Sequence, residues 1–161
     1  MQYNISPETL VESSNYTDEM RKLSAEASVE SLLEQKLDTS VLKNVTITPN
    51  GQFFRTDEQG FLPKMMVEMY EDRKKFKKLM LKSQQEYENE KDESKRKEIG
   101  KLIARYNNLQ LAKKVSLNSA YGAMGSQYFR FYDLRQALAV TQAGQLSIRW
   151  IEKIGRASCR E

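Results

Sequence analysis

KVSLNSAYGAMG, residues 114–125, is the most informative stretch of this sequence. Because an α-helix turns about 100° per residue, Lys114, Asn118 and Tyr121 fall within about 60° of one another and share one face. That face combines a cation, an amide and an aromatic ring with a hydroxyl group. A nucleotide fits this polar stripe, with its phosphates at the lysine, a polar contact at the asparagine and a base pair against the tyrosine.

Two glycines accompany the polar stripe. Gly122 and Gly125 would each weaken a helix interior by about 1 kcal/mol relative to alanine. Glycine suits a position where a helix ends, or one where a base pair approaches the backbone closely. A glycine-capped helix end explains the two glycines but leaves the polar stripe unexplained, so both interpretations stay open.

A long helical pattern precedes the stripe. Apolar residues recur near helical spacing from about Pro63 to Asn89, and residues 90–94 are charged without an apolar anchor. A second helix is predicted from about Lys95 into the region of Asn118. Residues 63–125 therefore predict a long antiparallel helical hairpin with a solvated tip.

The first predicted helix contains RKKFKKLMLK, residues 73–82, with six cations in ten positions. Arg73 and Lys77 are four residues apart and share a face, where they suit the oxygens of phosphate groups. A solvated helix face explains the same run of charge. Charge alone therefore does not decide between a polyanion site and an ordinary surface.

Shorter elements flank the hairpin. Ser6-Pro7-Glu8 has the pattern of a helix start, residues 28–36 predict a short amphipathic helix, and residues 45–55 predict a β-hairpin around Pro49-Asn50-Gly51. A last helix is predicted from about Asp133 to Ile151. One side of it contains Leu134, Leu138, Thr141, Gln145 and Ile148. The expected fold class is mainly α with a minor β element.

Composition excludes several kinds of site. The chain has no histidine and one cysteine, Cys159, which excludes histidine-dependent catalysis, histidine or cysteine-cluster metal sites and an internal disulfide. No apolar run approaches the roughly 20 residues that span a bilayer, and the N-terminus lacks the pattern of a signal peptide. A cytoplasmic protein with no membrane partner is expected.

The two ends of the chain suggest that it is a piece of a longer protein. The last eight residues, IGRASCRE, match the in-frame translation of a common sequencing adapter. Residues 154–161 are therefore expected to be adapter read-through, with a natural polar tail as the alternative. The natural reading frame is expected to continue past Lys153, and Met1 is expected to be an internal methionine.

The pattern Lys-x-x-x-Asn-Ser-x-Tyr-Gly-x-x-Gly in residues 114–125 resembles the fingers signature of family B DNA polymerases from tailed bacteriophages, and every fixed position matches. NISPET, residues 4–9, resembles the segment that follows the family's first palm motif. FRFYDLRQALAVT, residues 129–141, resembles the palm helix that follows the fingers. The resemblance extends over residues 2–153.

The resemblance implies three regions in an incomplete domain. Residues 1–62 would be a partial palm segment with short helices and a β-hairpin. Residues 63–125 would be the fingers hairpin with the nucleotide-binding motif, and residues 126–153 a palm helix. Such a chain would be a fragment of a DNA-directed DNA polymerase, a nucleotidyltransferase of DNA replication.

The resemblance also implies roles for individual residues. Lys114 would contact the inner phosphates of an incoming deoxynucleoside triphosphate, Arg73 and Lys77 the outer phosphates, and Asn118 would add a polar contact nearby. The motif's tyrosine and glycine, Tyr121 and Gly122, would lie against the nascent base pair on its minor-groove side.

The catalytic carboxylates of the family are missing from the sequence. Neither the Asp-x-x-Ser-Leu-Tyr-Pro-Ser motif nor the Asp-Thr-Asp motif occurs, so no catalytic residue and no metal ligand is expected here. The aspartates that hold two Mg²⁺ ions would lie outside this chain, and the isolated chain is expected to be inactive. Asp57, Asp72, Asp92 and Asp133 match no catalytic position and are expected to be surface or structural residues.

The implied partners of the parent enzyme are primer–template DNA and deoxynucleoside triphosphates, with a sliding clamp as a further candidate, in the cytoplasm of an infected bacterial host. Two alternatives remain. One is a stand-alone basic helical module that binds nucleic acid or a partner helix. The other is a split polymerase in which a second chain supplies the aspartates.

Overall fold

The computed structural model describes residues 3–158, with side chains through residue 155. The described residues form, in chain order, 3-10 helices at Pro7–Thr9 and Ser13–Asn15, α1 Asp18–Glu26, α2 Val29–Leu33, β1 Val45–Ile47, β2 Phe53–Arg55, α3 Phe61–Asn89, α4 Glu93–Met124 and α5 Leu134–Ser158. This mainly helical chain with a minor β element confirms the predicted fold class.

The chain divides into two compact units. Lys64–Ala123 forms the first, here called the hairpin unit. The described residues before and after it form the second, here called the flanking unit. Assigning the two units to fingers and palm remains a prediction.

The β-hairpin forms the core of the flanking unit. β1 and β2 pair antiparallel, with Val45 opposite Arg55 and Ile47 opposite Phe53, which confirms the predicted hairpin. Phe53 is fully buried, and its ring meets that of Tyr16 edge to face at 5.0 Å. The next residue, Phe54, is fully buried as well, so both faces of this strand are covered and two large rings are removed from water.

Gly51 closes the turn of this hairpin. Its φ of +75° lies in the left-handed region, which glycine adopts without steric cost. A Cβ at this position would lie 2.6 Å from the carbonyl oxygen of Ser24. The turn therefore needs glycine for its backbone conformation and for its close approach to α1.

The N-terminal segment secures the loop that leads into α3. The side-chain amide of Asn4 donates to the carbonyl oxygens of Arg55 at 2.6 Å and Glu58 at 2.7 Å, and its oxygen accepts from the amide of Gly60 at 2.9 Å. The helix start predicted at Ser6 is a single 3-10 turn, Pro7–Thr9. This segment thus holds a loop and does not begin a long helix.

Two helices complete the flanking unit. α2 is shorter than predicted, and it packs against α5. α5 begins one residue after the predicted start and continues through Ser158. Its alanines at 137, 139 and 143 are buried. Part of the side predicted from the sequence faces solvent, since Leu134 is 56% exposed and Ile148 is 70% exposed.

The hairpin unit contains most of α3 and α4. The tip is shorter than predicted, because α4 begins at Glu93 and Asp92 accepts a hydrogen bond from the Ser94 amide at 2.9 Å. α4 also runs through Gly122 and ends at Met124. α4 thus extends beyond the region of Asn118, where its end was predicted, and Gly125 lies just after the last helical residue.

No helix of the described residues is long and apolar enough to cross a membrane. Met1 and residues 159–161, which include Cys159 and the end of the predicted adapter segment, lie outside the described part of the chain.

Candidate functional site

The residues predicted to bind phosphate lie on the two long helices of the hairpin unit. Arg73 and Lys77 are on α3, and Lys114 and Asn118 are on α4. Lys77, Lys114 and Asn118 are exposed, whereas Arg73 is half-buried. Arg73 Nε is buried and has no hydrogen-bond acceptor.

An ion pair between α3 and α4 shows which sides of the two helices face each other. Lys113 Nζ lies 2.6 Å from Asp72 Oδ2, and both side chains are partly exposed. The hydrogen bond from Lys113, and then its positive charge, lower the pKa of Asp72 below the ordinary range. Asp72 and Lys113 therefore lie at the same level of the hairpin, on the sides of the two helices that face each other.

Contacts nearer the tip support this pairing of levels. The guanidinium carbon of Arg96 lies 4.6 Å from the ring centroid of Tyr87. A Cβ on Gly100 would lie 3.9 Å from the same ring. In an antiparallel hairpin, each step toward the tip on α3 corresponds to one step toward the tip on α4. If Asp72 is level with Lys113, Tyr87 is therefore level with a residue midway between Arg96 and Gly100, in agreement with both contacts.

Helix geometry places Arg73 and Lys114 on the same side of the hairpin. Each residue directly follows a member of the ion pair, so each is turned by about 100° from it. Two right-handed helices that run in opposite directions turn in opposite senses when viewed from one end. One step past the interface therefore leads to the same side on both helices.

The predicted residues follow one another along that side. With a rise of about 1.5 Å per residue, Lys77 lies about 7.5 Å from the ion pair toward the tip, and Arg73 about 1.5 Å. Lys114 lies about 1.5 Å away in the opposite direction, followed by Asn118 at about 7.5 Å and Tyr121 at about 12 Å. The cations are therefore consecutive, and the tyrosine lies beyond them.

In the described residues the cations of this side have no acidic partner, a property that they share with other lysines and arginines of the hairpin unit. In the part of the chain that the structure describes, no carboxylate oxygen lies within 4.0 Å of Arg73, Lys77 or Lys114. By contrast, Lys74 pairs with Glu71 and Lys82 approaches Glu86. Cations without carboxylate partners are available to an anion.

The motif's aromatic and glycine residues lie farther along α4. Tyr121 is 42% exposed. A Cβ on Gly122 would have nothing within 4 Å apart from its own helix. Among the described residues there is thus no steric reason for glycine at position 122.

The aspartates that matched no catalytic position have structural partners. Asp57 pairs with Arg55, Asp72 with Lys113 and Asp133 with Arg135, and Asp92 accepts from the first turn of α4. Residues 3–158 contain no group of three carboxylate, histidine or cysteine side chains that could hold a metal ion. The described residues therefore do not form a two-ion site by themselves, and the resemblance places the ligands of that site outside this chain.

The Asp72–Lys113 pair was not predicted from the sequence as a feature of the site. A signal existed, because Asp72 lies 20 residues before Asp92 and Lys113 lies 21 residues after it. Opposite charges at equal distances from the tip of an antiparallel hairpin are candidates for an ion pair across it.

Comparisons with known proteins agree on the family. The sequence model of DNA polymerase family B matches residues 1–157. The DNA-directed DNA polymerase of Escherichia phage RB69 is 31% identical, over 66% of this chain and 16% of the phage protein. That of Enterobacteria phage T4 is 29% identical over the same shares.

A eukaryotic relative matches a smaller part of the chain. The DNA polymerase delta catalytic subunit of Caenorhabditis elegans is 36% identical, over 63% of this chain and 8% of that protein. The chain thus spans less than a fifth of the length of these relatives. The family match includes residues 154–157, so it does not separate the tail from the rest, and adapter read-through stays a prediction. Because the match extends over nearly the whole sequence, the chain belongs to DNA polymerase family B.

Proposed function

We propose that this chain is the fingers hairpin and adjoining palm of a DNA-directed DNA polymerase, and that its hairpin unit binds the incoming deoxynucleoside triphosphate. One observation supports this most strongly. Three cations without carboxylate partners, Arg73, Lys77 and Lys114, follow one another on the same side of the hairpin. A triphosphate is a chain of anionic groups and matches such a row.

Each residue has a role that follows from its place in the row. Lys114, nearest the base-pair residues, would contact the inner phosphates, and Arg73 and Lys77, nearer the tip, the outer ones. Asn118 would add a polar contact between the phosphates and the base. The unsatisfied Nε of Arg73 supports an anion ligand, because binding that draws the guanidinium outward would relieve an unpaired buried donor.

The position of Gly122 supports the proposal that a base pair lies beyond the three cations, at the end of α4. Glycine in a helix interior costs about 1 kcal/mol relative to alanine, yet open space surrounds the missing Cβ. The cost is understandable if a flat group outside this chain approaches the backbone there. Tyr121 and Gly122 would lie against the nascent base pair, where their contact area senses its shape.

The residues of the row would act by positioning and by neutralising charge. Phosphoryl transfer spreads negative charge over the phosphate oxygens, and preorganised cations stabilise that charge. In the complete enzyme two Mg²⁺ ions would assist the displacement, held by ligands outside this chain. Primer–template DNA, a sliding clamp and the cytoplasm of an infected bacterium belong to the same proposal for the parent enzyme.

Nucleotide binding by this chain tests the proposal. Binding of a fluorescent dATP analogue should weaken about tenfold in Lys114→Ala, the ratio that corresponds to one charged hydrogen bond. Lys101→Ala is the matched control, because Lys101 is an exposed lysine of the same helix that faces another side. Equal effects of the two substitutions would show that only overall charge matters.

Sequencing the DNA on both sides of this reading frame tests whether the parent protein is a complete DNA polymerase. It should encode Asp-x-x-Ser-Leu-Tyr-Pro-Ser upstream and Asp-Thr-Asp downstream, and the isolated chain should not extend a primer. An upstream stop codon and ribosome-binding site, or primer extension by rigorously purified chain, would contradict the proposal.

A further inference from the structure

The Asp72–Lys113 ion pair has an unusual place in the hairpin unit. In the described residues it is the one ion pair that joins α3 to α4. Toward the tip the helices are joined by the contact of Arg96 with Tyr87. Asp72 directly precedes Arg73, and Lys113 directly precedes Lys114. Each member of the ion pair is therefore next in sequence to a cation that is proposed to bind phosphate.

Packing alone defines the pairing of the two helices weakly. Within Lys64–Ala123, Ser83 is the one residue that is buried, at 7% exposure. Without a buried apolar residue, neighbouring alignments of the helices differ little in buried area, and buried area is the main favourable term in helix packing. A directional contact between charged groups is then a larger part of what selects one alignment.

We infer that the Asp72–Lys113 pair is a positioning device that sets the rotation and level of α3 against α4, so that Arg73 and Lys114 contact one triphosphate together. This rests on the proposed function of the same site. If α4 rotated by one residue, about 100°, Lys114 would leave the side that Arg73 occupies. Neither Asp72 nor Lys113 needs to touch the nucleotide.

The inference predicts an effect opposite in sign to simple electrostatics. Asp72 is a negative charge beside a site for an anion, so removing that charge should tighten nucleotide binding if only Coulomb attraction matters. If Asp72 acts by holding Lys113, removing it should weaken binding. Asp72→Asn keeps the size of the side chain and separates the two mechanisms by sign.

The test measures dATP affinity for the 161-residue chain and its variants. Asp72→Asn should bind about twofold to fivefold more weakly than the unchanged chain, the range expected for a partly exposed ion pair. Exchanging both charges, Asp72→Lys with Lys113→Asp, should restore most of the loss because the pair reforms at the same net charge. Glu68→Gln is the control, since Glu68 is exposed one turn earlier on α3 and has no ion pair. It should bind as tightly as the unchanged chain or slightly more tightly.

A distance measurement keeps the inference testable without nucleotide binding. Spin labels at Gln84 and Lys101, which are exposed and level with each other, report the alignment of the helices in a chain with Cys159→Ser. Asp72→Asn should broaden the distance distribution and the double exchange should narrow it again.

Each outcome decides the inference. An unchanged distance distribution in Asp72→Asn would overturn it, and so would a broadened distribution with dATP binding as tight as in Glu68→Gln. Failure of the unchanged chain to bind dATP would contradict the proposed function instead. In that case a broadened distribution would still support the alignment role of the pair.

Discussion

The flanking unit and the hairpin unit of this chain are stabilised in different ways. The flanking unit has a buried core in which Phe53 and Phe54 are fully enclosed. The hairpin unit consists of two long helices whose apolar residues are at most half-buried. The buried contacts that stabilise the fold are therefore concentrated in the flanking unit, and the candidate site lies in the hairpin unit.

The distribution of charge follows the same division. Lys64–Ala123 contains 15 lysines and arginines and 9 aspartates and glutamates, a net charge of +6. The rest of the chain has 11 and 13, a net charge of −2. Cations that repel one another destabilise an isolated hairpin, and an anionic ligand would remove that repulsion. This distribution of charge supports the proposal that the hairpin unit binds an anion.

The largest difference between the two units is expected in how much a core substitution lowers the free energy of unfolding. Phe53→Ala should lower the free energy of unfolding of the flanking unit by about 3–5 kcal/mol, because it leaves a cavity in a closed core. Phe76→Ala, at a half-buried position of α3, should cost about 1–2 kcal/mol. Urea denaturation followed by circular dichroism and by Tyr and Trp fluorescence measures both. A cost for Phe76→Ala as large as for Phe53→Ala would remove the contrast between the units.

Glycine substitutions in helix interiors should have a smaller effect of the opposite sign. Gly122→Ala and Gly144→Ala should each raise stability by about 0.5–1 kcal/mol, because both glycines are helical and a Cβ meets open space. In a complete polymerase only Gly122→Ala should weaken incorporation, since Gly144 is not among the residues proposed to contact the nucleotide. Thermal denaturation and single-turnover incorporation separate the two effects. Equal effects on incorporation would argue against a base pair at Gly122.

A fall in pH should lower the stability of the hairpin unit by a still smaller amount. The pKa of Asp72 is lowered by Lys113, so the ion pair stabilises the folded hairpin above the ordinary carboxyl pKa. That contribution is lost as the pH falls through the lowered value. Hydrogen exchange between pH 5 and pH 3, corrected for intrinsic rates, should show faster relative opening of α3 and α4. Asp72→Asn should remove this pH dependence, and its persistence there would assign the effect to another group.

Glu12 provides the comparison in the flanking unit. Its pKa is lowered by the hydrogen bond and then the charge of Arg135, so the same acid range weakens an ion pair there as well. Because a buried core also stabilises that unit, its amides in β1 and β2 should open less than those of the hairpin.

The sequence predicted the elements better than the contacts between them. Helical spacing located α3 and α4, and Asn50-Gly51 located the turn between β1 and β2, because both signals are local. The course of α4 through Gly122 was missed, since the helix formers Ala120, Ala123 and Met124 on both sides outweigh one glycine. The role of Asn4, whose hydrogen bonds reach more than 50 residues along the chain, has no local signal.

For the candidate site as well, the sequence indicated which residues share a helix face but not how the two helices are aligned. Lys114, Asn118 and Tyr121 share a face that spacing alone defines. Placing Arg73 beside Lys114 required the level of one helix against the other, which the Asp72–Lys113 contact supplies. Whether these residues bind a nucleotide is a prediction that the fold supports and that binding experiments must test.

An NMR titration tests most directly which side of the hairpin binds the triphosphate. Adding dATP to chain with ¹³C-labelled lysine side chains should shift the ε-methylene signals of Lys77 and Lys114 in a single saturating process. Lys75, Lys78 and Lys82 lie on another side of α3 and serve as an internal comparison of similar charge density. Their signals should move little. Larger shifts at these three lysines than around Lys114, or weak shifts spread over all cations, would contradict the account.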